Sequence, residues 1–491
     1  MDDNDAGTYL GQKGYSIYKE SLDVKEQVSL REELSVAAYI PKAPVQPTPF
    51  PVYRESHNKI YVPRYFGYDT YGEPDEIRIS DGDVIDVTFA GGLRDYQQKV
   101  VEVFVKNTNP NSGGGGLLEI PCGRGKTVIA LNIISRIKRK TLVIVHKGFL
   151  LNQWIERIEQ FLPGARVGKI QGQIIDMEDK DIVIGMLQSL SMKEYPSDMF
   201  HSFGLTIVDE CHHISSEVFC RSLQKIVTKY ALGLSATMQR KDGLTRVFKM
   251  FLGEIIYKEK RDTNDPVLVK AIEFISNDTE FNETKYDYRG NPAYSSMITK
   301  LCEFSHRSEF ILQVLKKELV VKPEQQVMIL AHNRNLLNYL YKAIEHRNIA
   351  TVGYYVGGMK DKDLKHSEGC GVIVATYAMA AEALDIKTLT TLILATPRTD
   401  VTQAVGRILR VKHERPMVID IIDSHDVFQR QWEKRRKFYV KNKYKIIHTS
   451  SNLYESDKWE TIYEMGMKKI NSTNTVKKSN ELVKGQCLIA F

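Results

Sequence analysis

The chain has 491 residues, 42% of them hydrophobic and 26% charged, with a formal net charge of +7. These values exclude wholesale disorder, and the length predicts about three domains of ~150 residues. The longest apolar runs, TLVIV (141–145) and LILA (392–395), have strand length and fall well short of the ~20 residues that cross a bilayer, so no membrane partner is expected.

The opening residues MDDNDAGTYL lack the basic flank and apolar stretch of a secretory signal. The six cysteines, at 122, 211, 220, 302, 370 and 487, form no C-x-x-C pair. A reducing compartment is therefore expected, cytoplasmic or nuclear. Residues 1–90 are rich in proline and tyrosine, as in PKAPVQPTPFPVYRES (41–56) and PRYFGYDTYGEP (63–74), and read as a small irregular accessory region. Within them QVSLREELSVAAYI (27–40) fits a short helix or a strand pair.

From residue 91 apolar runs alternate with amphipathic helices. LLEI (117–120), TLVIV (141–145), DIVIGM (181–186), LTIV (205–208) and ALGLS (231–235) read as buried parallel strands. Between them, residues 148–162 place Leu150, Leu151, Trp154, Ile155, Ile158, Phe161 and Leu162 at the helical period. The glycines GGGG (113–116) suggest a flexible loop before the first strand. A polar stretch over roughly 261–300, with SNDTEFNETKYDYRGNPAY (276–294), reads as a linker or insertion. The alternation then resumes with strands at 327–331, 351–356, 371–376, 389–395 and 417–422 and a helix over 335–347. The expected architecture is α/β: two tandem units with parallel sheets over 91–262 and 301–448, a linker over 263–300, and a tail over 449–491.

Two motifs carry chemistry in the first unit. LLEIPCGRGKT (117–127) ends like a phosphate-binding loop between a strand and a helix, although Ile120 stands where the strict pattern needs glycine. Pro121, Cys122, Gly123, Arg124 and Gly125 would cradle phosphates through backbone N–H groups, Lys126 would reach the outer phosphates, and Thr127 would hold Mg2+. A plain glycine turn is the alternative. LTIVDECHH (205–213) then places Asp209 and Glu210 at a strand's carboxyl end, where an open α/β sheet binds its ligand. Asp209 can bind Mg2+ through water, and Glu210 can orient and deprotonate the attacking water. The neighbouring His212 and His213 lack the further ligands that a zinc site needs.

A phosphate loop followed by D-E-x-H resembles superfamily 2 helicases and translocases, whose loop variant has glycine three positions before the lysine, as Gly123 does. That resemblance, spread over roughly 91–448, implies two tandem RecA-like domains with ATP between them. It also implies roles for several other residues. In LRDYQ (93–97), Gln97 would read the adenine edge. In LGLSATMQRKDGL (232–244), Ser235, Ala236 and Thr237 would couple hydrolysis to movement, together with His212. VIVATYAMAAEALDIKTL (372–389) resembles the segment ending in G-x-D, with Asp385 in place at the nucleotide and Ala383 replacing the usual glycine. QAVGRILR (403–410) matches Q-x-x-G-R-x-x-R, so Gln403, Arg407 and Arg410 would act from the second unit, the arginines on the transferring phosphoryl group.

Within that superfamily the chain is most similar to the XPB-like group and to helicases of large DNA viruses, an affinity that adds the virion to the expected locations. XPB-like proteins carry Arg-Glu-Asp after the Ser-Ala-Thr segment. The corresponding triplet is Arg240, Lys241 and Asp242, so a nucleic-acid role there rests on resemblance. The ending QRQWEKRRKFYVKNKYKI (429–446) mixes cations with aromatics, so Arg435, Arg436 and Lys437 are expected on nucleic-acid phosphates, with a solvated helix as the alternative. The resemblance implies ATP and Mg2+ as cofactors and nucleic acid as partner, DNA favoured over RNA. It also offers transcription or repair machinery as a contact of residues 1–90. Rival readings are a duplex translocase that does not separate strands and a nucleic-acid-binding scaffold without turnover.

Overall fold

The computed structural model describes residues 7–466 apart from 41, 42, 44, 122, 197, 214–216, 241, 260–265, 383–385 and 410–412. Two sheets dominate it. The first runs, in spatial order, Ile174–Asp176, Val167–Gln171, Ile182–Met186, Thr141–Val145, Leu205–Val208, Tyr230–Ser235, Gly113–Glu119 and Ile255–Lys258. Its neighbours from Val167–Gln171 onward are parallel, and the strands Thr141–Val145, Ile182–Met186, Leu205–Val208 and Tyr230–Ser235 are buried along their whole length. Helices on both faces leave such strands no polar side, which is why they read as continuous apolar runs. The helix Gly148–Phe161 buries Leu150, Leu151, Trp154 and Ile158 against this sheet.

The second sheet has the order Val352–Tyr355, Val372–Thr376, Gln326–Ala331, Leu389–Leu394, Met417–Asp423, Leu268–Phe274, Lys445–Ser450 and Glu460–Tyr463. Only the last pair is antiparallel. Leu268–Phe274 falls in the stretch expected to be a linker, yet it lies between two parallel partners. Lys270 masks it in the sequence. That lysine is tolerated because its Nζ meets Glu318 Oε1 at 2.6 Å. Glu460–Tyr463 likewise draws part of the expected tail into the sheet edge.

Two further expectations are corrected. Gly113–Gly116 do not form a loop but open the strand Gly113–Glu119. A Cβ at Gly115 would lie 2.1 Å from Ala231 O, and one at Gly116 would lie 2.7 Å from the Ile256 side chain, so close strand packing demands the glycines. Residues 8–77 are also more regular than predicted. Arg54–Glu55, Lys59–Val62, Gly14–Tyr18, Thr8–Gly11 and Glu76–Ile77 form a five-stranded sheet, with helices Val24–Glu33 and Arg64–Tyr71. Strands of two to five residues are too short to leave a periodic signal. Asp23 and Glu26 form a capping box on the first of these helices.

This module is fastened to the first sheet. The buried Arg64 guanidinium donates to Lys229 O at 2.8 Å, Ser112 O at 2.7 Å and Thr228 O at 3.3 Å. Farther along, Tyr39 N donates to Asp242 O at 3.0 Å.

In the second unit a fully buried pair ties the helix Ser305–Val321 to two strand ends. Arg307 donates to both carboxylate oxygens of Asp423, at 2.6 and 2.8 Å, and to Ala395 O at 2.8 Å. Removing one partner of such a pair strands a buried charge. Arg307→Met should therefore lower the unfolding free energy of this unit by about 3–5 kcal/mol, read as a lower urea midpoint for its transition.

Candidate functional site

The strand Gly113–Glu119 ends at a loop whose backbone is built to face an anion. Gly123 (φ 81°) and Gly125 (φ 77°) are left-handed, and Gly125 caps the helix Lys126–Ile137. The helix therefore begins with unsatisfied N–H groups directed at the loop. Gln97, expected at the adenine edge, is buried against this loop. Its Nε2 donates to Arg124 O at 3.1 Å and its Oε1 accepts from Arg94 N at 3.0 Å. Tyr96 Oη donates to the same Arg124 carbonyl at 2.8 Å, a contact that sequence reading missed. A Cβ at position 125 would come within 2.5 Å of Gln97 Nε2. Cys122 lies outside the described residues, as do Lys241, Asp385 and Arg410.

The strand Leu205–Val208 delivers the two carboxylates. Asp209 is buried, accepts from Trp154 Nε1 at 2.9 Å through Oδ2, and accepts from Glu210 N at 2.9 Å through Oδ1. Burial first, then the neighbouring Glu210 charge, push its pKa up to about 6. Glu210 is left-handed (φ 48°), an uncommon conformation for this residue type. Its Oε1 is 2.7 Å from Lys126 Nζ. Burial opposes its ionisation, but Lys126 and His212 outweigh that and hold the carboxyl well below the usual range. Trp154 had looked like one member of an apolar helical stripe, and nothing in its spacing signalled a polar partner.

His212 sits at a junction. Its Nδ1 lies 2.7 Å from Ser235 Oγ and 3.3 Å from Glu210 Oε2, and its Nε2 lies 3.3 Å from Gln403 Nε2. Ser235 Oγ in turn donates to Thr237 O at 2.6 Å and accepts from Thr237 N at 3.1 Å, closing the turn that contains Ala236. Arg240 donates to His212 O and pairs with Asp242. Arg240 and Asp242 thus brace this junction. His146, also missed, is half-buried nearby and kept neutral, its pKa pushed down to about 4 by burial and then by Lys147.

The helix Thr402–Arg407 brings the second unit to this junction through Gln403. Arg407 is buried and its Nε donates to Ala380 O at 2.9 Å. An opening of about 720 Å³ runs between the units, with His212, Thr237, Arg240, Arg398, Gln403 and Lys441 on its walls. A second link is the exposed pair Lys365–Glu156, 2.7 Å apart.

One assigned nucleic-acid contact is corrected. Arg435 is buried, grips both oxygens of Asp420 at 2.8 and 2.9 Å, and donates to Arg398 O at 2.7 Å, while Tyr439 Oη also donates to Asp420. It is a core ion pair that holds the loop carrying Arg398. Lys437 is exposed and Arg436 half-exposed on the same helix, Asp426–Lys441.

Residues 91–240 match the family model described as type III restriction enzyme, res subunit. The chain is 35% identical over 476 residues to the Acanthamoeba polyphaga mimivirus protein named "Putative ATP-dependent RNA helicase L396", covering 94% of this chain and 90% of that one. It is 27% identical over 385 residues to the protein of Invertebrate iridescent virus 6 named "Putative helicase 161L", covering 73% and 83%. Among solved structures, S. cerevisiae Dbp5 bound to RNA and ADP BeF3 is similar in fold, with a TM-score of 0.51 at 12% identity over 74% of this chain and 91% of that one.

Two substitutions separate the roles just described. Arg435→Ala should lower thermal stability by roughly 3–5 kcal/mol and leave the salt dependence of nucleic-acid binding unchanged. Gln403→Ala removes the contact between the units at His212. It should reduce the stimulation of ATP hydrolysis by nucleic acid, measured as phosphate release with and without nucleic acid.

Proposed function

Since the chain belongs to the superfamily 2 helicases, alongside those of large DNA viruses, and is thereby an ATP-driven motor on nucleic acid, we propose that ATP is hydrolysed at the loop after Gly113–Glu119. Lys126, Asp209 and Glu210 would act from the first unit, and Gln403, Arg407 and Arg410 from the second. The Lys126–Glu210 pair carries the reading: a cation and a carboxylate 2.7 Å apart, poised at a helix N-terminus beside two left-handed glycines.

The residues present fit a nucleotide with Mg2+. The glycine turn leaves room for phosphate oxygens at backbone N–H groups, Thr127 lies in the first turn of the helix, and the buried Asp209 charge favours a cation. When bound, Mg2+ would neutralise charge developing between the phosphates. Lys126 would exchange the Glu210 carboxylate for a phosphate oxygen. Glu210, relieved of its neutralising partner, would orient a water and accept its proton. Trp154 fixes Asp209. His212 and Ser235 would pass the state of Glu210 to Gln403, and Arg407 and Arg410 would stabilise charge on the phosphoryl group.

DNA is the favoured substrate, carried by the likeness of residues 93–97 and 232–244 to XPB-like proteins. The name of the mimivirus relative carries RNA as a second reading. Phosphate release measured with single-stranded DNA, duplex DNA and RNA discriminates between them. Lys126→Ala and Glu210→Gln should each lower the stimulated rate by about 10² to 10⁴-fold. Full activity in either variant overturns the assignment of the site, and so does a scaffold-like wild type without turnover.

A further inference from the structure

Among the described residues, those after the strand Leu268–Phe274 build a small hairpin that has no part in the nucleotide site. Tyr286 and Pro292 form an antiparallel bridge, and Ala293 N donates to Lys285 O at 2.8 Å. Its tip, Asp287-Tyr288-Arg289-Gly290, has aspartate first and glycine fourth, the preference of a type I turn closed by a left-handed glycine. Gly290 has φ 75°, and its N donates to Asp287 O at 3.0 Å. Asp287 Oδ1 accepts from both Arg289 N and Asn291 N, each at 2.9 Å. The tip is therefore held in shape without help from the rest of the protein.

Its base is anchored. Lys285 N contacts Met297 Sδ at 3.2 Å on the helix Tyr294–Glu303, and Lys300 Nζ donates to Glu283 O at 2.6 Å. Tyr294 Oη donates to Pro397 O at 3.2 Å, and its ring stands edge-on to buried Phe428. Pro397 adjoins Arg398, on the wall of the opening between the units. Tyr294, next to the base of the hairpin, thus ties it to the segment that carries Arg398, and the hairpin follows the carboxyl end of Leu268–Phe274.

The tip presents aromatic surface to water. Tyr288 is 88% exposed and Tyr286 63%, and the Arg289 guanidinium lies over the Tyr288 ring at 4.9 Å. A tyrosine extended on a braced turn, flanked by Lys285 and Arg289, combines a stacking face with cations suited to phosphates. We propose that residues 285–293 form a wedge that separates the strands of a duplex: Tyr288 stacks on the last intact base pair, and Lys285 and Arg289 hold the backbone beside it. Opening a duplex by an inserted side chain exchanges base stacking for protein contact, so a ring fixed in advance works better than a mobile one. The wedge rests on the motor reading above, because it needs a strand drawn past it.

The test pairs two assays on the full chain: phosphate release stimulated by single-stranded DNA, and displacement of a labelled strand from a forked DNA duplex. Tyr288→Ala should keep the first within about twofold and slow the second by about tenfold or more, the loss of one stacking contact. Tyr288→Trp should displace at least as fast as wild type. Asp287→Ala, which releases the turn, should fall between. Strand displacement at the wild-type rate by Tyr288→Ala overturns the wedge, as it would if the hairpin served a protein partner instead. A wild type that hydrolyses ATP on DNA but separates no fork overturns it too, in favour of a duplex translocase. Absence of stimulated hydrolysis in the wild type would instead defeat the motor reading, and the wedge with it.

Discussion

Two opposite charges 2.7 Å apart, on Lys126 and Glu210, organise the first unit. Both side chains are partly buried, and each neutralises the other there. Each therefore depends on the element that delivers the other. Lys126 needs the glycine turn and the helix it caps, and Glu210 needs a strand end and a left-handed backbone. Asp209 accepts from the Trp154 indole, and burial with the neighbouring Glu210 raises its pKa.

The links outward from this pair have different physical character. His212 joins Glu210, Ser235 and Gln403 through short, half-buried contacts that salt screens weakly. Lys365–Glu156, another bridge between the units, is exposed on both sides and contributes little at physiological salt. The amino-terminal module enters the same chain of contacts. Tyr39 bonds the backbone of Asp242, Asp242 pairs with Arg240, and Arg240 reaches the His212 carbonyl. A module that looked accessory is thus linked through Asp242 and Arg240 to the backbone of His212.

The sheets were legible because parallel strands covered on both faces leave unbroken apolar runs, as in TLVIV and LTIV. The segments 117–127 and 205–213 stand out because a glycine turn and paired carboxylates directly follow apolar strands, and the fold brings Lys126 to Glu210. What escaped had local reasons. Leu268–Phe274 hides behind Lys270, whose partner Glu318 lies 48 residues away. The glycines 113–116 look like a loop until the facing strands are known. Arg435 shares the helix face of Phe428, Trp432 and Tyr439 while Lys437 does not, but only the fold brings Asp420 beneath it. Trp154 and Tyr96 form polar contacts through groups that an apolar reading of aromatics overlooks.

The four glycines that open the strand before the phosphate loop have a bearing on how the molecule assembles. Glycine surrenders more backbone freedom on ordering than any other residue, and here it brings no side chain to compensate. Its first two glycines pair locally with Thr108–Asn109, but the rest of the strand pairs with Tyr230–Ser235 and Ile255–Lys258, segments made more than a hundred residues later in synthesis. The loop at its end, with its left-handed Gly123 and Gly125, is therefore held in place by strands that lie far along the chain on either side of it.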